Sequence, residues 1–377
     1  MKIEQVCWSE ETGWQPALPG SLGIKAQLVL VFGSRFILEK DEWRHDIQAT
    51  YCEAEIIGCS TAGEIFDIQV LEESLVVTAI EFEHTQVKGA KVKISDVSNS
   101  VSAGKQLAAM LSGEKLRHVL VLSEGLHING SELVRGLTES LPSEVSVTGG
   151  LSSDGDRFEK SVVLLNEAAA EREIVAVGLY GDRLKVSYAS AGGFDSFGPE
   201  RLITRAQGNV LYELDHKSAL ELYKQYLGEY ANKLPASGMF FPLEVLMNEQ
   251  GLVRTILSMD EEAGSITFAG DIPQGLYGRL MKGNYTGMVK GAEEAAQISS
   301  QFLSGVRAQL AILVSCVGRK FILTQRVEEE AEAVRDVLGE KAVLTGFYSY
   351  GEISPFHPGT KCELHNQTMT ITILAED

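Results

Sequence analysis

The stretch "GCSTAGEI", residues 58–65, directs the interpretation of this chain, because it has the outline of a phosphate-binding loop but not its chemistry. It follows an apolar run that predicts a buried strand, and Gly58 and Gly63 enclose four small residues. A P-loop places a lysine after its second glycine, where the ammonium group meets the β and γ phosphates. This chain places Glu64 there, and its negative charge repels phosphate. We therefore do not expect a nucleotide site.

The same pattern returns as "GFYSYGEI", residues 346–353, with the same spacing and the same acidic ending. Both copies stand in one order: an apolar strand, an arginine shortly before "FIL", a helix, a strand, the glycine loop and a closing strand. A weaker third copy contains "VTGGLSSDG", in which Gly150 and Gly155 have the same spacing. This repetition and the alternation of strands with helices predict an α/β fold. We expect two pseudo-repeated halves, with mixed β-sheets covered by helices.

The predicted organisation is a leader segment over residues 1–25, an N-terminal domain over 26–205 and a C-terminal domain over 206–377. Residues 213–230 predict a helix that joins the halves, with Asp215 as its N-cap. The turn-rich stretch 241–284 predicts an antiparallel meander.

Composition limits the partners and the compartment. The chain of 377 residues carries a formal net charge of -19, which argues against nucleic acid or an anionic membrane as a partner. No apolar run approaches the ~18 residues that a membrane helix needs. The N-terminus has no signal-peptide layout, so we expect a cytoplasmic protein.

The usual catalytic signatures are not evident in the sequence. The nucleophile elbow G-x-S-x-G is missing, since "GCSTAG" has one residue too many between its glycines. The seven histidines and five cysteines form no zinc signature. We expect a protein without catalytic activity, and an enzyme whose residues meet only in space stays open as an alternative.

The loops instead suit a small polar or cationic ligand, because hydroxyls and amide groups orient it, aromatic rings stack on it and a carboxylate holds an ammonium group. An arginine in "GLVRTIL" is suited to a ligand carboxylate. The alternative is structural: the glycines turn the chain and the glutamates cap backbone N–H groups. The predicted ligand-binding residues are Ser60, Thr61, Gly63, Glu64, Ser152, Ser153, Asp154, Arg254, Tyr348, Ser349, Tyr350, Gly351, Glu352 and Asn366.

These motifs resemble a known family. "IIGCSTAGEI" together with "TGGLSSDGD" resembles the N-terminal half of FIST domains, and "GFYSYGEISP" with "LHNQTMTITIL" resembles the C-terminal half. The resemblance implies an intracellular bacterial sensor that binds a small ligand, with amino acids as the proposed class. Because the chain leaves no room for an output module, we expect it to act on a separate protein, such as a sensor histidine kinase or a cyclic-di-GMP enzyme.

The resemblance also raises a haem-based alternative. Some FIST proteins of this length, the NosP type, sense nitric oxide through haem, so haem b is a candidate cofactor. An axial histidine would then be needed. His365 begins a predicted strand and His216 is expected at a helix N-terminus. A hydrogen-bonded structural histidine is the alternative for both.

Overall fold

Runs of Val, Ile and Leu in this chain form buried strands, and amphipathic segments between them form helices, so the predicted mixed α/β fold is confirmed. The computed structural model describes residues 1–40, 42–95, 99–234, 236–247, 250–303 and 305–377. These residues form three six-stranded sheets and one nine-stranded sheet.

The described strands of the first half of the chain are Lys2–Ser9 (β1), Gly13–Gln15 (β2), Leu28–Gly33 (β3), Glu55–Ser60 (β4), Glu64–Phe66 (β5), Gln69–Leu71 (β6), Ser74–Glu81 (β7), Gln86–Lys93 (β8), Leu116–Ser123 (β9), Ser146–Leu151 (β10), Val163–Leu165 (β11), Glu173–Tyr180 (β12) and Leu184–Ala191 (β13). Those of the second half are Phe194–Ser196 (β14), Arg201–Gln207 (β15), Val210–Leu214 (β16), Lys217–Ser218 (β17), Leu243–Met247 (β18), Gln250–Arg254 (β19), Ile256–Asp260 (β20), Ser265–Phe268 (β21), Tyr277–Gly283 (β22), Leu310–Cys316 (β23), Val343–Ser349 (β24), Gly351–Pro355 (β25), Cys362–His365 (β26) and Met369–Glu376 (β27).

The described α-helices are Arg35–Lys40 (α1), Glu42–Thr50 (α2), Ser100–Leu111 (α3), Gly130–Thr138 (α4), Ala219–Leu227 (α5), Tyr285–Gln301 (α6), Val317–Leu323 (α7) and Glu329–Leu338 (α8). Short 3-10 turns lie at Gly228–Lys233, Ala236–Phe240 and Thr324–Arg326.

The six-stranded sheets belong to three similar units. Unit 1 comprises β1–β7, unit 2 comprises β8–β12, and unit 3 comprises β13 together with β23–β27. In each unit two parallel strands are joined through helix, as β3 and β4 are in unit 1. A closing strand lies antiparallel to the first of them, and a leading strand lies antiparallel to the closing one. The repeat is therefore threefold, and the weaker third copy is a full unit.

Each unit sends a strand into the sheet of a neighbouring unit. After the glycine loop of unit 1, β5 pairs with β24 of unit 3. After the loop of unit 3, β25 pairs with β10 of unit 2. After the loop of unit 2, β11 pairs with β4 of unit 1. The exchange is cyclic, so each second strand has its outer edge covered by another unit rather than left open.

The three glycine loops meet through a cycle of backbone hydrogen bonds. Ala62 N donates to Tyr348 O at 2.9 Å, Tyr350 N donates to Leu151 O at 3.2 Å, and Ser153 N donates to Ser60 O at 2.9 Å. We call residues 60–64, 151–155 and 348–352 together the loop ring.

Alternating strand residues build one core inside the three sheets and others outside them. Phe32, Leu122 and Val314, from the first strands of the three units, belong to the same inner cluster. Their neighbours Val31 and Leu313 point the other way and pack in outer clusters that contain helix residues. This period of two is what strands buried on both faces require.

One glycine in each second strand is required by close backbone contact. A Cβ at Gly58 would lie 2.2 Å from Val31 O. At Gly149 and Gly346 the corresponding gaps to the partner carbonyl oxygens are 1.8 and 1.9 Å. The glycine of unit 2 that matches Gly58 is thus Gly149, so the predicted alignment on Gly150 is wrong by one residue. The difference arises because strand pairing, and not spacing, sets the equivalence.

A separate antiparallel sheet, β14–β22, is inserted in unit 3 between β13 and α6. The predicted meander falls within it, and α5 packs on it through Tyr223, whose ring meets Phe268 edge-on. The N-cap of α5 is Ser218, so the prediction of Asp215 is wrong. Asp215 instead binds Arg201 from a left-handed turn with φ 50°.

Replacing Gly346 with alanine tests the close contact between the first and second strands. We expect Gly346→Ala to lower the free energy of unfolding by about 3 kcal/mol, because the new methyl group overlaps a backbone carbonyl that cannot move alone. The matched control is Gly198→Ala, where the nearest atom would be 3.7 Å away and the change should stay within about 1 kcal/mol. Equilibrium denaturation in guanidinium chloride measures both, and equal effects would contradict the contact.

Candidate functional site

The loop ring lies where the parallel strands of all three units end. Each loop directly follows the second strand of its unit, at the carboxyl end of a parallel pair. In open α/β sheets this end is where ligands bind, because loops diverge there and leave a crevice. The chemistry of the loops therefore decides what the protein can hold.

Glu64 is a buried carboxylate in the loop of unit 1, with 1% of its surface exposed. The Thr61 hydroxyl donates to one of its oxygens, and Ser74 Oγ donates to the other at 2.6 Å. Burial raises the pKa of Glu64 to about 7, against the hydroxyl hydrogen bonds and the charge of Lys320, which lower it. Near neutral pH this group exists in both charge states.

Glu352 occupies the matching position in unit 3 with the same kind of partners. Ser349 Oγ donates to it at 2.7 Å, and Thr368 donates through both N and Oγ1, at 3.1 and 2.9 Å. Burial raises the pKa of Glu352 to about 8. The sequence repeat thus preserves a local geometry, in which one hydroxyl three residues earlier and another at the start of the closing strand, or directly before it, hold a glutamate.

In unit 2 the buried carboxylate does not follow the glycine loop but lies at the end of the first strand, β9. Ser152 has the place of Thr61, but its buried hydroxyl has no hydrogen-bond partner within the described ranges. The buried carboxylate here is Glu124, just after β9, which accepts from Leu126 N at 2.8 Å and Ser161 Oγ at 2.9 Å. Sequence reasoning missed Glu124, because it lies outside the glycine loop that drew attention.

Several predicted residues hold the loops together. Ser153 Oγ donates to Tyr348 O at 2.6 Å, and the Tyr348 hydroxyl donates to Glu330 at 2.6 Å. The Tyr350 hydroxyl donates to Asp154. Two further members, Ser60 and Gly351, are buried at strand ends, where Ser60 Oγ accepts from Val162 N at 3.0 Å. These hydrogen bonds stabilise the packing of the three loops, and none of these residues lines the cavity that opens at the loop ring.

A cavity of about 390 Å³ opens at the loop ring, and we call it the ring cavity. All three units line it: Thr61, Gly63, Glu64, Glu72 and Glu73 from unit 1, Asp156 and Arg157 from unit 2, and Val317, Lys320 and Phe321 from unit 3 are among its lining residues. Of the predicted residues, Thr61, Gly63 and Glu64 reach it. Glu352 does not line it, although its local geometry matches that of Glu64.

Lys320 is the basic group nearest the buried carboxylate of the ring cavity. Its ammonium group donates to Ala62 O at 2.5 Å and pairs with the exposed Glu72. It also lies 5.9 Å from the centre of the Tyr348 ring. A signal for Lys320 exists in the sequence, since it stands directly before the second "FIL" as Arg35 stands before the first.

Aromatic and basic side chains lie at the ring cavity and next to its lining residues. The guanidinium groups of Arg35 and Arg157 lie 4.5 and 5.0 Å from the centre of the exposed Phe36 ring. Phe158 stacks on Tyr350 with ring centroids 4.5 Å apart. Of these residues, Phe36 and Arg157 line the cavity itself.

Arg254 and Asn366 do not join this cavity. Arg254 is buried where the inserted sheet meets units 2 and 3, and it lines a different cavity. Asn366 is buried just before β27, and neither atom of its amide has a hydrogen-bond partner in the portion of the chain that the structure covers. The expected single constellation is thus divided among separate places.

The surroundings of the two candidate histidines do not fit haem. His365 is buried, its Nε2 donates to Ser354 O at 2.7 Å, and the Phe356 ring packs edge-on against it. Burial lowers the pKa of His365 to about 4. His216 is exposed in the turn between β16 and β17, and not at a helix N-terminus. Neither histidine lines any of the described cavities, whereas a haem ligand must stand at an apolar slot.

Neither a metal-binding group of side chains nor a membrane-spanning helix is present among the described residues. No group of three or more His, Cys, Asp or Glu side chains is placed to hold a metal ion. None of the helices within the described ranges is both long and apolar enough to cross a membrane.

Comparison with known proteins agrees with this architecture. The sequence profile of the FIST N domain matches residues 27–217, and that of the FIST C domain matches residues 219–355. The chain therefore belongs to the FIST family of sensory, signal-transduction domains. The boundary between the two matches lies inside the inserted sheet, at the start of α5.

A similar protein among curated proteins is itself uncharacterized, so it suggests no function for this chain. An uncharacterized protein of Methanocaldococcus jannaschii is 23% identical over 344 residues, which is 82% of this chain and 64% of that protein. The chain thus spans less than two thirds of the length of this relative.

The raised pKa of Glu352 predicts a pH-dependent stability. In the unfolded chain this group titrates near 4.5, and in the folded protein near 8, so the folded state holds a proton that the unfolded state has released. The associated stability is fully present below pH 4.5 and is lost as the pH rises through 8. Between pH 5 and 8.5 we expect the wild type to lose about 4 kcal/mol more stability than Glu352→Gln, whose amide stays neutral.

Denaturation midpoints measured across this range check the expectation. The matched control is Glu53→Gln, which changes an exposed glutamate and should follow the wild type. Parallel curves for the wild type and Glu352→Gln would contradict the buried, proton-holding state of Glu352.

Proposed function

We propose that this protein is a sensor that binds a small zwitterionic ligand in the ring cavity, with amino acids as the leading class. It passes the signal to a separate output protein, such as a sensor histidine kinase. Membership of the FIST family supports the sensory role. The ligand and the partner are proposals that rest on the site.

The observation that carries the proposal is the placement of Glu64. A buried carboxylate at a cavity, with its pKa raised to about 7, gains most from a ligand cation, because the ammonium group replaces the solvation that burial removed. Among the described residues, the donors that contact Glu64 are the hydroxyl groups of Thr61 and Ser74 and the backbone of Ser74, all of them neutral. One strong charge-assisted hydrogen bond is therefore still to be made there.

The other charges of the cavity suit the second end of a zwitterion. Lys320 and Arg157 line the same space and can receive a ligand carboxylate. The acidic side chains of Glu72 and Asp156 are exposed to solvent, so they attract a cation without the desolvation penalty of a buried carboxylate. A simple phosphate finds no such match, because Glu64 repels it.

The three-unit lining explains how binding becomes a signal. A ligand held between Glu64 of unit 1 and Lys320 of unit 3 contacts both units at once, and Arg157 adds unit 2. A ligand that binds one arrangement of the units more tightly shifts the population toward it. A tenfold bias needs about 1.4 kcal/mol of differential binding, which one charged hydrogen bond supplies.

We also place the protein in the cytoplasm and propose no catalytic step for it. All five cysteines are free thiols in the structure, which suits a reducing compartment. The carboxylates Glu64 and Glu352 of the loop ring accept hydrogen bonds from hydroxyl groups, and we assign neither of them a part in a reaction.

A ligand screen tests the proposal. Purified protein is screened with the twenty amino acids by thermal shift, and hits are measured by calorimetry. We expect at least one to raise the melting temperature, and Glu64→Gln to weaken its binding at least tenfold, because a neutral amide does not stabilise the ammonium group.

The matched control is Glu352→Gln. It makes the same exchange in the same local geometry, at a glutamate that does not line the ring cavity, and should bind with wild-type affinity. Equal weakening by both variants would assign the effect to general stability. Undiminished binding by Glu64→Gln would remove the ring cavity as the site.

A further inference from the structure

Arg254 is a buried cation that forms no ion pair with an acidic side chain among the described residues. Only 3% of its surface is exposed, and its hydrogen bonds to described residues all go to neutral carbonyl oxygens. Nε donates to Asp271 O at 3.1 Å, and Nη1 donates to Leu364 O at 2.8 Å and to Val253 O at 3.4 Å. A buried charge is ordinarily paired, because carbonyl dipoles alone do not replace the hydration that is lost.

Arg319, the other arginine buried to a similar degree, shows what a complete pairing looks like in this protein. It too donates to carbonyl oxygens, including Met288 O at 2.7 Å. In addition it binds Glu330 through Nε at 3.0 Å and Nη2 at 2.8 Å. Arg254 has the carbonyl part of this arrangement and lacks the carboxylate.

The acidic groups near Arg254 are held by other residues or lie out of bonding range. Asp271 has its carboxylate bound by Asn129 Nδ2 at 3.1 Å, and it accepts from Arg254 Nε through its backbone carbonyl, while its charge acts on Arg254 without an ion pair among the described residues. The charge of Glu363 acts on Arg254, but the two side chains form no ion pair in the described part of the structure. Burial lowers the pKa of Arg254 to about 10, which leaves it charged at neutral pH.

Arg254 lines a cavity of about 720 Å³, which we call the arginine cavity. Its walls come from the inserted sheet on one side and from α4, β10 and β26 on the other. Many of these wall residues are apolar: Val134, Leu141, Val147, Met247, Leu252 and Pro273.

The geometry points to a second ligand site in the arginine cavity, where Arg254 binds the carboxylate of a small organic acid whose apolar body lies against these walls. The guanidinium group forms two parallel hydrogen bonds with a carboxylate better than any other side chain does. The apolar residues of the walls favour such an acid over phosphate and other fully hydrated anions, which have no apolar part to bury.

Such a ligand would connect the inserted sheet to units 2 and 3. Arg254 already makes this connection through Leu364 O of β26. A bound carboxylate adds a charged contact at the same boundary, so it would fix the inserted sheet against the units. This site does not depend on the ring cavity, since the two share no lining residue.

Calorimetry with hexanoate and hexanamide tests the proposal on the full chain. The two probes have the same apolar chain and differ in charge. We expect hexanoate to bind the wild type at least tenfold more tightly than hexanamide does. Arg254→Gln should abolish this preference, and the control Arg307→Gln, at an exposed arginine that does not line the cavity, should keep it.

Two further variants make the result decisive. Glu64→Gln should leave hexanoate binding unchanged, so a failure of the ring cavity and a failure of the arginine cavity are distinguishable. If Arg254→Gln does not fold, Met247→Trp, which fills the cavity and leaves the arginine in place, should weaken hexanoate at least tenfold. Equal binding of both probes by the wild type, or hexanoate binding that survives these cavity variants, would overturn the site.

Discussion

The cycle of backbone hydrogen bonds in the loop ring is the constraint on which the rest of this protein depends. Each loop donates an N–H to a carbonyl of another unit, and the strand that follows pairs with that unit's sheet. No unit can complete its own sheet edge, so the three must assemble together. The inner core then draws on all three first strands, and its burial stabilises the whole arrangement rather than any single unit.

The same constraint explains the buried carboxylates. The packing of the three loops against each other buries hydroxyl and N–H groups, and these buried donors need acceptors. Glu64 and Glu352 meet the need from the exchanged strands, whereas Glu124 meets it from the end of β9. One backbone plan thus produces three different environments. Only the first of these three carboxylates lines the ring cavity, which is why a structural role and a binding role coexist in one repeated motif.

Both proposed ligand sites lie at boundaries between parts of the chain. The ring cavity is lined by three units, and the arginine cavity lies between the inserted sheet and two of those units. Ligands at such boundaries act on relative position, because they contact both sides and favour the arrangement that lets them do so. Two inputs on one molecule would then be coupled through unit 3, which carries Lys320 and also contains the inserted sheet.

The sequence by itself determined the elements and their repetition. Val, Ile and Leu runs fixed the strands, and the spacing of "GCSTAGEI" and "GFYSYGEI" marked two equivalent loops that each carry a hydroxyl three residues before a glutamate. These features are local, since strand periodicity and short side-chain contacts depend on neighbours along the chain. Only the tertiary structure decided that β5, β11 and β25 leave their own units, that Glu64 and not Glu352 reaches a cavity, and that Lys320 and Arg157 join it from other units. The reason is that partners lying more than a hundred residues apart are selected by shared burial and by strand edges that must be paired, and a pattern read along one segment carries no record of either.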